Sequence, residues 1–228
     1  MKKHRSLYLH LIFLIIVLVE LIGRFTDNIS LEYPVKPLIM IWIAIYFLLY
    51  RKKRSFTVPV AMAFFFSWLG DNFLMFSERN ELFFYAGVGG FFFAQLSYIY
   101  IFTRYKEESK KGYLQKKPLL ILFFLLYTGG IYYVLWPGLE GAMKAVILVY
   151  ALSLTGMSMM ALNRRGRVNP SSFRNVFAGS ILFLLSDSLI ALDKFAFEIH
   201  LAGFWIMITY IGAQYLIMRG LIREKPFE

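Results

Sequence analysis

The sequence predicts an all-α, polytopic membrane bundle: eight transmembrane helices in two parallel four-helix repeats, with the N and C termini cytoplasmic. Three observations lead there. Of 228 residues, 59% are hydrophobic and 17% charged, whereas a soluble domain runs nearer half apolar and a quarter charged. The charges arrive in bursts between long apolar runs. Basic residues also alternate from loop to loop.

The apolar runs are 7–23, 37–50, 57–76, 81–103, 118–136, 142–162, 173–193 and 200–222. At 1.5 Å per residue most can cross a hydrocarbon core of about 30 Å. The first follows Met1 to Arg5 in the manner of a signal peptide. Gly23 leads straight into Arg24-Phe25-Thr26-Asp27 with no small-x-small cleavage site, so it reads as an uncleaved span. The second is short and opens at Lys36-Pro37, where proline suits a first helical turn; it either starts earlier or sits in thinned bilayer. The remaining loops leave no room for an extramembrane domain, and 1–228 reads as a single integral membrane domain.

Orientation follows from Lys and Arg. The N-terminus, the loops 51–54, 104–117 and 163–174, and the C-terminal stretch carry 3, 4, 6, 4 and 3 of them, 20 of the 25. The alternate loops hold Arg24, Lys36, Arg79, Lys144 and Lys194. An even span count puts every rich loop in the cytoplasm, and the expected location is the cell (inner) membrane. The net charge of +11 suits this topology and anionic headgroups better than nucleic acid, because no soluble region remains to form a binding face. The absence of cysteine excludes disulfides and thiolate chemistry.

The two halves, roughly 1–112 and 113–228, echo each other. Lys36 matches Lys144, and Arg51-Lys52-Lys53-Arg54 matches Arg164-Arg165-Gly166-Arg167. Gly70-Asp71 matches Ser186-Asp187, and Ala94-Gln95 matches Ala213-Gln214. Four spans per half insert the same way up, which predicts a pseudo-twofold axis along the membrane normal. Asp71 and Asp187 then lie at one depth, roughly 21–23 Å from the inner boundary, where they could face each other. Of the acids expected on or near the outer side, including Glu20, Asp27, Glu32 and Glu78, most read as ordinary loop residues. These two aspartates do not.

An ionised Asp within a span costs several kcal/mol unless it faces the interior, pairs or is protonated. Ser67 shares a helix face with Asp71, and Asn72 is adjacent. Ser186 adjoins Asp187, with Ser180 and Lys194 each two turns away, one on either side. Tyr98 and Gln95 are three apart, and Tyr210 and Gln214 four; such pairs suit interhelical bonds as well as a site. Lys36, Arg79, Lys144 and Lys194 at outer helix ends read as snorkelling anchors, or as grips for a lipid phosphate. His4, His10 and His200 are scattered at the chain ends, so neither a zinc site nor a serine–histidine dyad can form. No metal or other cofactor is expected.

Four stretches carry a family resemblance: Phe66 to Met75, Gly87 to Tyr98, Ala178 to Phe195 and Tyr210 to Leu216, together with Lys36-Pro37-Leu38. They resemble the YhhN family of lysoplasmalogenase-like membrane proteins over nearly the whole chain. One departure is Gln95, where members often carry His in the pattern kept here as Ala94-Gln95-Leu96-Ser97-Tyr98; Gln cannot transfer a proton. The resemblance implies hydrolysis of the vinyl-ether bond of lysoplasmalogens to a fatty aldehyde and glycerophosphoethanolamine or glycerophosphocholine, with membrane lipids as partners. Two carboxylates suit that chemistry, one as acid and one steadying the cation. The implied catalytic pair is Asp71 and Asp187, with roles undivided. The alternative is a non-enzymatic lipid or small-molecule carrier built from parallel repeats.

Overall fold

The computed structural model describes residues 2–51, 57–104 and 106–224. Lys52, Lys53 and Arg54 of the second basic loop, and Lys225, lie outside them. Among the described residues all regular structure is helical: α1 (Lys2–Phe25), α2 (Ile29–Tyr50), α3 (Thr57–Leu74), α4 (Glu81–Arg104), the short α5 (Tyr113–Lys116), α6 (Leu119–Leu135), α7 (Met143–Asn163), α8 (Pro170–Phe195) and α9 (Ala202–Ile222). Among the described residues, seven helices are long and apolar enough to cross a membrane. The remaining long helix, α3, has 18 residues, and Asp71 and Asn72 dilute its apolar character.

The second helix begins well before the expected Lys36-Pro37. Asn28 caps it by accepting a hydrogen bond from the Ser30 amide, and Pro34 and Pro37 both lie inside it. Each proline forgoes one backbone donor, which packed membrane helices tolerate. With 22 residues, α2 needs no thinned bilayer. Other boundaries follow local chemistry. Asn169 accepts from the Ser171 amide, with Pro170 in the first turn of α8.

Within α1–α4 and within α6–α9 each long helix packs antiparallel to the next. On α3 and α4, a Cβ on Gly90 would lie 2.8 Å from the Gly70 amide nitrogen and 3.1 Å from the Phe66 carbonyl. The helix backbones therefore touch beside Asp71. On α8 and α9, Gly179 lies against the Ala213 carbonyl and Gly220 against the Ser172 carbonyl. Small residues permit such approach where lipid offers no hydrophobic drive between helices. Half of the α9 span is buried, against 17% for α1 and α6, so α9 is central and those two face outward. The phenylalanine runs divide by face: Phe64 and Phe91 are buried while Phe65 and Phe93 are exposed.

One end of the bundle gathers the chain ends. There Tyr46 near the end of α2 meets Ser6 near the start of α1 and Arg219 near the end of α9. We call this the terminal face. Arg164, one of the basic residues of the 163–174 loop, is fully buried beside it. Its guanidinium pairs with Glu224 at 2.6 Å, and Ser172 donates to the same carboxylate at 2.5 Å. Burial pushes the Glu224 carboxyl above its ordinary range and the Arg164 guanidinium below. The pair thus ties α7, α8 and α9 together against its own desolvation cost.

Candidate functional site

Each aspartate sits in the bundle interior, and each accepts a tyrosine hydroxyl from another helix. Asp71 on α3 is 4% exposed, and Tyr210 on α9 donates to it at 2.6 Å. The chain of bonds continues inward. Gln214 donates to the Ser67 hydroxyl at 3.0 Å and to the Tyr210 oxygen at 3.4 Å. Tyr98 on α4 donates to the Gln214 carbonyl oxygen at 2.6 Å. Ser67, Asp71, Tyr98, Tyr210 and Gln214 are all buried and form one hydrogen-bonded layer across α3, α4 and α9.

Asp187 on α8 has a different setting. Its Oδ2 accepts from Tyr150 on α7 at 2.5 Å and from Gln95 on α4 at 3.3 Å. Gln95 in turn accepts from Ser153. The other oxygen, Oδ1, is buried without a hydrogen-bond partner among the described residues. Such an orphan is rare in a folded interior and calls for an explanation. Here the residue lines an apolar cavity of about 60 Å³ between α4, α6, α7 and α8, walled by Val88, Phe91, Leu135 and Leu154. Asp71 does not line that cavity, and no hydrogen bond joins the two carboxylates among the described residues.

The cavity adjoins two others. Away from the terminal face it shares Leu74, Phe84 and Ile190 with a vestibule of about 520 Å³. That vestibule is lined by Arg24, Lys36 and Lys194 and by Asp27, Glu32, Glu78 and Asp193. Sideways it shares Val88 and Tyr150 with an apolar groove of about 440 Å³ between α4 and α7, which includes Gly89. Towards the terminal face the interior is packed instead, with Phe47, Phe64, Ile101, Phe102, Met157 and Ile217 each at most 2% exposed.

The other residues singled out in the sequence fall into two groups. Lys36 and Lys194 line the vestibule. Asn72 donates to the Trp68 carbonyl and Ser180 to the Phe177 carbonyl, each within its own helix, and Ser186 donates to the Ile206 carbonyl of α9. Sequence reasoning missed Tyr150 and Ser153, although a polar pair three apart on an apolar helix was a visible signal. It also took Glu20 and Glu32 for ordinary acids near the loops. Both are buried within helices, where Arg24 bridges them at 3.3 and 3.0 Å. Among the described residues no group of His, Asp and Glu is arranged to hold a metal ion.

Fold and interior together define a multi-pass helical membrane protein with two buried, tyrosine-bonded carboxylates. Comparison with known proteins narrows this: the chain belongs to the YhhN family, whose model matches residues 31–221. Lysoplasmalogenase TMEM86A of Bos taurus is 29% identical over 163 residues, 70% of this chain and 63% of the relative. Lysoplasmalogenase TMEM86B of Homo sapiens is 30% identical over 141 residues, 62% of this chain and 55% of the relative. The chain thus spans about three-fifths of the length of these curated relatives. No solved structure matches.

Proposed function

We propose that this protein is a membrane-embedded hydrolase that cleaves the vinyl-ether bond of lysoplasmalogens, releasing a fatty aldehyde and glycerophosphoethanolamine or glycerophosphocholine. It does so as a single integral domain of eight spans in the cell (inner) membrane, α3 included. The spans form two parallel four-helix repeats, and the terminal face is cytoplasmic. The close antiparallel pairs α3–α4 and α8–α9 occupy matching places in the two halves. The vestibule then opens on the outer side.

The observation that carries this reading is the bare Oδ1 of Asp187. It belongs to a residue lining an apolar cavity that shares walls with both a charged vestibule and an apolar groove. A lysolipid has the same order of parts: a polar headgroup, an ether bond and an apolar chain. In the reaction, the acid form of Asp187 gives its proton from Oδ1 to the enol carbon of the alkenyl chain. The carbon bonded to the ether oxygen becomes an oxocarbenium ion. Water adds to that carbon as the Asp187 carboxylate takes a proton from it, giving a hemiacetal. The hemiacetal hydroxyl then loses its proton as the glycerol oxygen gains one; the carbon–oxygen bond breaks and aldehyde leaves. Tyr150 and Gln95 hold Asp187 through Oδ2, which leaves Oδ1 free for the proton. Asp71 is the second carboxylate, fixed by Tyr210, and its negative charge steadies the cation.

A carrier needs access from alternate faces. The spaces that adjoin the Asp187 cavity lie toward the vestibule and sideways, while packed aromatic and aliphatic side chains fill the interior toward the opposite end, which favours the hydrolase. The test is aldehyde release from lysoplasmalogen by purified protein in detergent. Asp71→Ala and Asp187→Ala are each expected to abolish turnover in protein that still purifies folded. Full activity in either variant would sink the proposal.

A further inference from the structure

The vestibule holds more charge than a helix-end surface needs, and its cations are not equivalent. Of the four cations placed at outer helix ends by the sequence, three stand over aromatic rings: Arg79 lies 5.0 Å from the Phe76 ring centroid, Lys144 4.2 Å from that of Trp136 and Lys194 4.5 Å from that of Phe84, but Arg79 and Lys144 do so outside the vestibule. Lys36 and Lys194 instead line the vestibule. Lys36 is only 8% exposed. Its i−4 neighbour Glu32 is the natural partner on a helix, yet Arg24 takes that carboxylate at 3.0 Å and Glu20 at 3.3 Å. Among the described residues the Lys36 ammonium is left without an ion pair or hydrogen bond, facing the open volume. An ammonium so deeply placed and unpaired is costly unless an anion completes it. Lys194 stands over Phe84 at 4.5 Å, and that ring lines both the vestibule and the Asp187 cavity. At the rim, Asp27 and Glu78 are exposed carboxylates.

We propose that the vestibule is the headgroup site, taking a zwitterionic phosphodiester with its phosphate on Lys36 and Lys194 and its ammonium toward Asp27 and Glu78. This rests on reading the Asp187 cavity as the place where the ether bond sits. Only a three-carbon glycerol unit separates that bond from the phosphate, and Phe84, Leu74 and Ile190 are common walls of the two spaces. The arrangement also explains why Arg24 is neutralised by two carboxylates. Arg24 makes the direct contacts to both, which leaves Lys36 with no ion pair of its own among the described residues.

The experiment measures ligand-induced Tm shifts of purified protein in detergent. The probe is 1-O-alkyl-lysophosphoethanolamine, whose saturated ether cannot be cleaved by this chemistry. Alkylglycerol, which lacks the phosphate, and inorganic phosphate serve as separate arms. The alkyl lysolipid is expected to raise the Tm of the wild type. Its apparent affinity should fall at least about tenfold in Lys36→Met and several-fold in the exposed Lys194→Gln, and largely recover in Lys36→Arg. Alkylglycerol should bind wild type and variants alike. Equal lysolipid affinity in wild type and both neutral variants would overturn the headgroup site. An equal shift from inorganic phosphate at the same concentration would overturn the lipid source in favour of a free-phosphate site. Because the probe is not cleaved, the result is independent of turnover. Lysolipid binding through Lys36 without aldehyde release from lysoplasmalogen would leave the site standing and sink the hydrolase instead.

Discussion

Asp71 on α3 and Asp187 on α8 are both buried and tyrosine-bonded, yet their surroundings differ. Around Asp71, Ser67, Tyr98, Tyr210 and Gln214 close a hydrogen-bonded layer. Around Asp187, two donors serve one oxygen and the other meets an apolar cavity. Pairing by sequence equivalence made the two carboxylates interchangeable. The packing separates them into a closed side, where the carboxylate sits in a hydrogen-bonded layer, and an open side, where one carboxylate oxygen has no hydrogen-bond partner among the described residues and the residue lines a cavity.

The largest expected effect breaks the equivalence directly. Asp187→Asn should reduce aldehyde release by about 10³-fold or more, within the range for losing a positioned general acid. Asp71→Asn keeps an acceptor for Tyr210 and should lose about 10–100-fold, a loss on the scale of one hydrogen bond to a charged group. Equal losses would erase the distinction. The tyrosines sharpen it. Tyr150→Phe should lower kcat about tenfold with little change in Tm. Tyr210→Phe orphans groups on the closed side and should lower stability by about 1–3 kcal/mol, read by denaturant or thermal unfolding.

Two adjacent glycines test open against closed without touching a carboxylate. A Cβ on Gly90 would press on the Gly70 backbone, whereas one on Gly89 meets nothing within 4 Å. Gly90→Ala should destabilise by about 1–3 kcal/mol through overpacking. Gly89→Phe should fold normally and fill the lipid-facing groove, raising KM for long-chain substrates several-fold more than for short-chain ones. The smallest effect belongs to Asn72→Ala, which removes a bond within its own helix and should shift stability by no more than about 0.5 kcal/mol with activity retained.

Much of this was legible in the sequence because bilayer physics writes helices as apolar runs. Seven of the eight long helices begin within a few residues of those runs, apart from the polar first turns of α1. The exception, α2, starts earlier because Asn28 caps it and its prolines sit inside the helix rather than at its edge. The polar residues Gln95, Tyr98, Tyr210 and Gln214 were visible as i, i+3 and i, i+4 pairs, but their partners were not. Helical periodicity fixes the face of a residue, while cross-helix bonds depend on rotation and tilt set by packing. Hence the bonds from Tyr150 and Ser153 on α7 to Asp187 and Gln95, and the Glu20–Arg24–Glu32 bridge between α1 and α2, emerged only in three dimensions.

The most direct test of the central claim is to run the reaction in D₂O with the aldehyde trapped as it forms. If Asp187 protonates the enol carbon, the wild type will release aldehyde carrying one deuterium at carbon 2, and folded Asp187→Asn will release almost none. Aldehyde without deuterium at that carbon, or undiminished release from Asp187→Asn, would contradict the account.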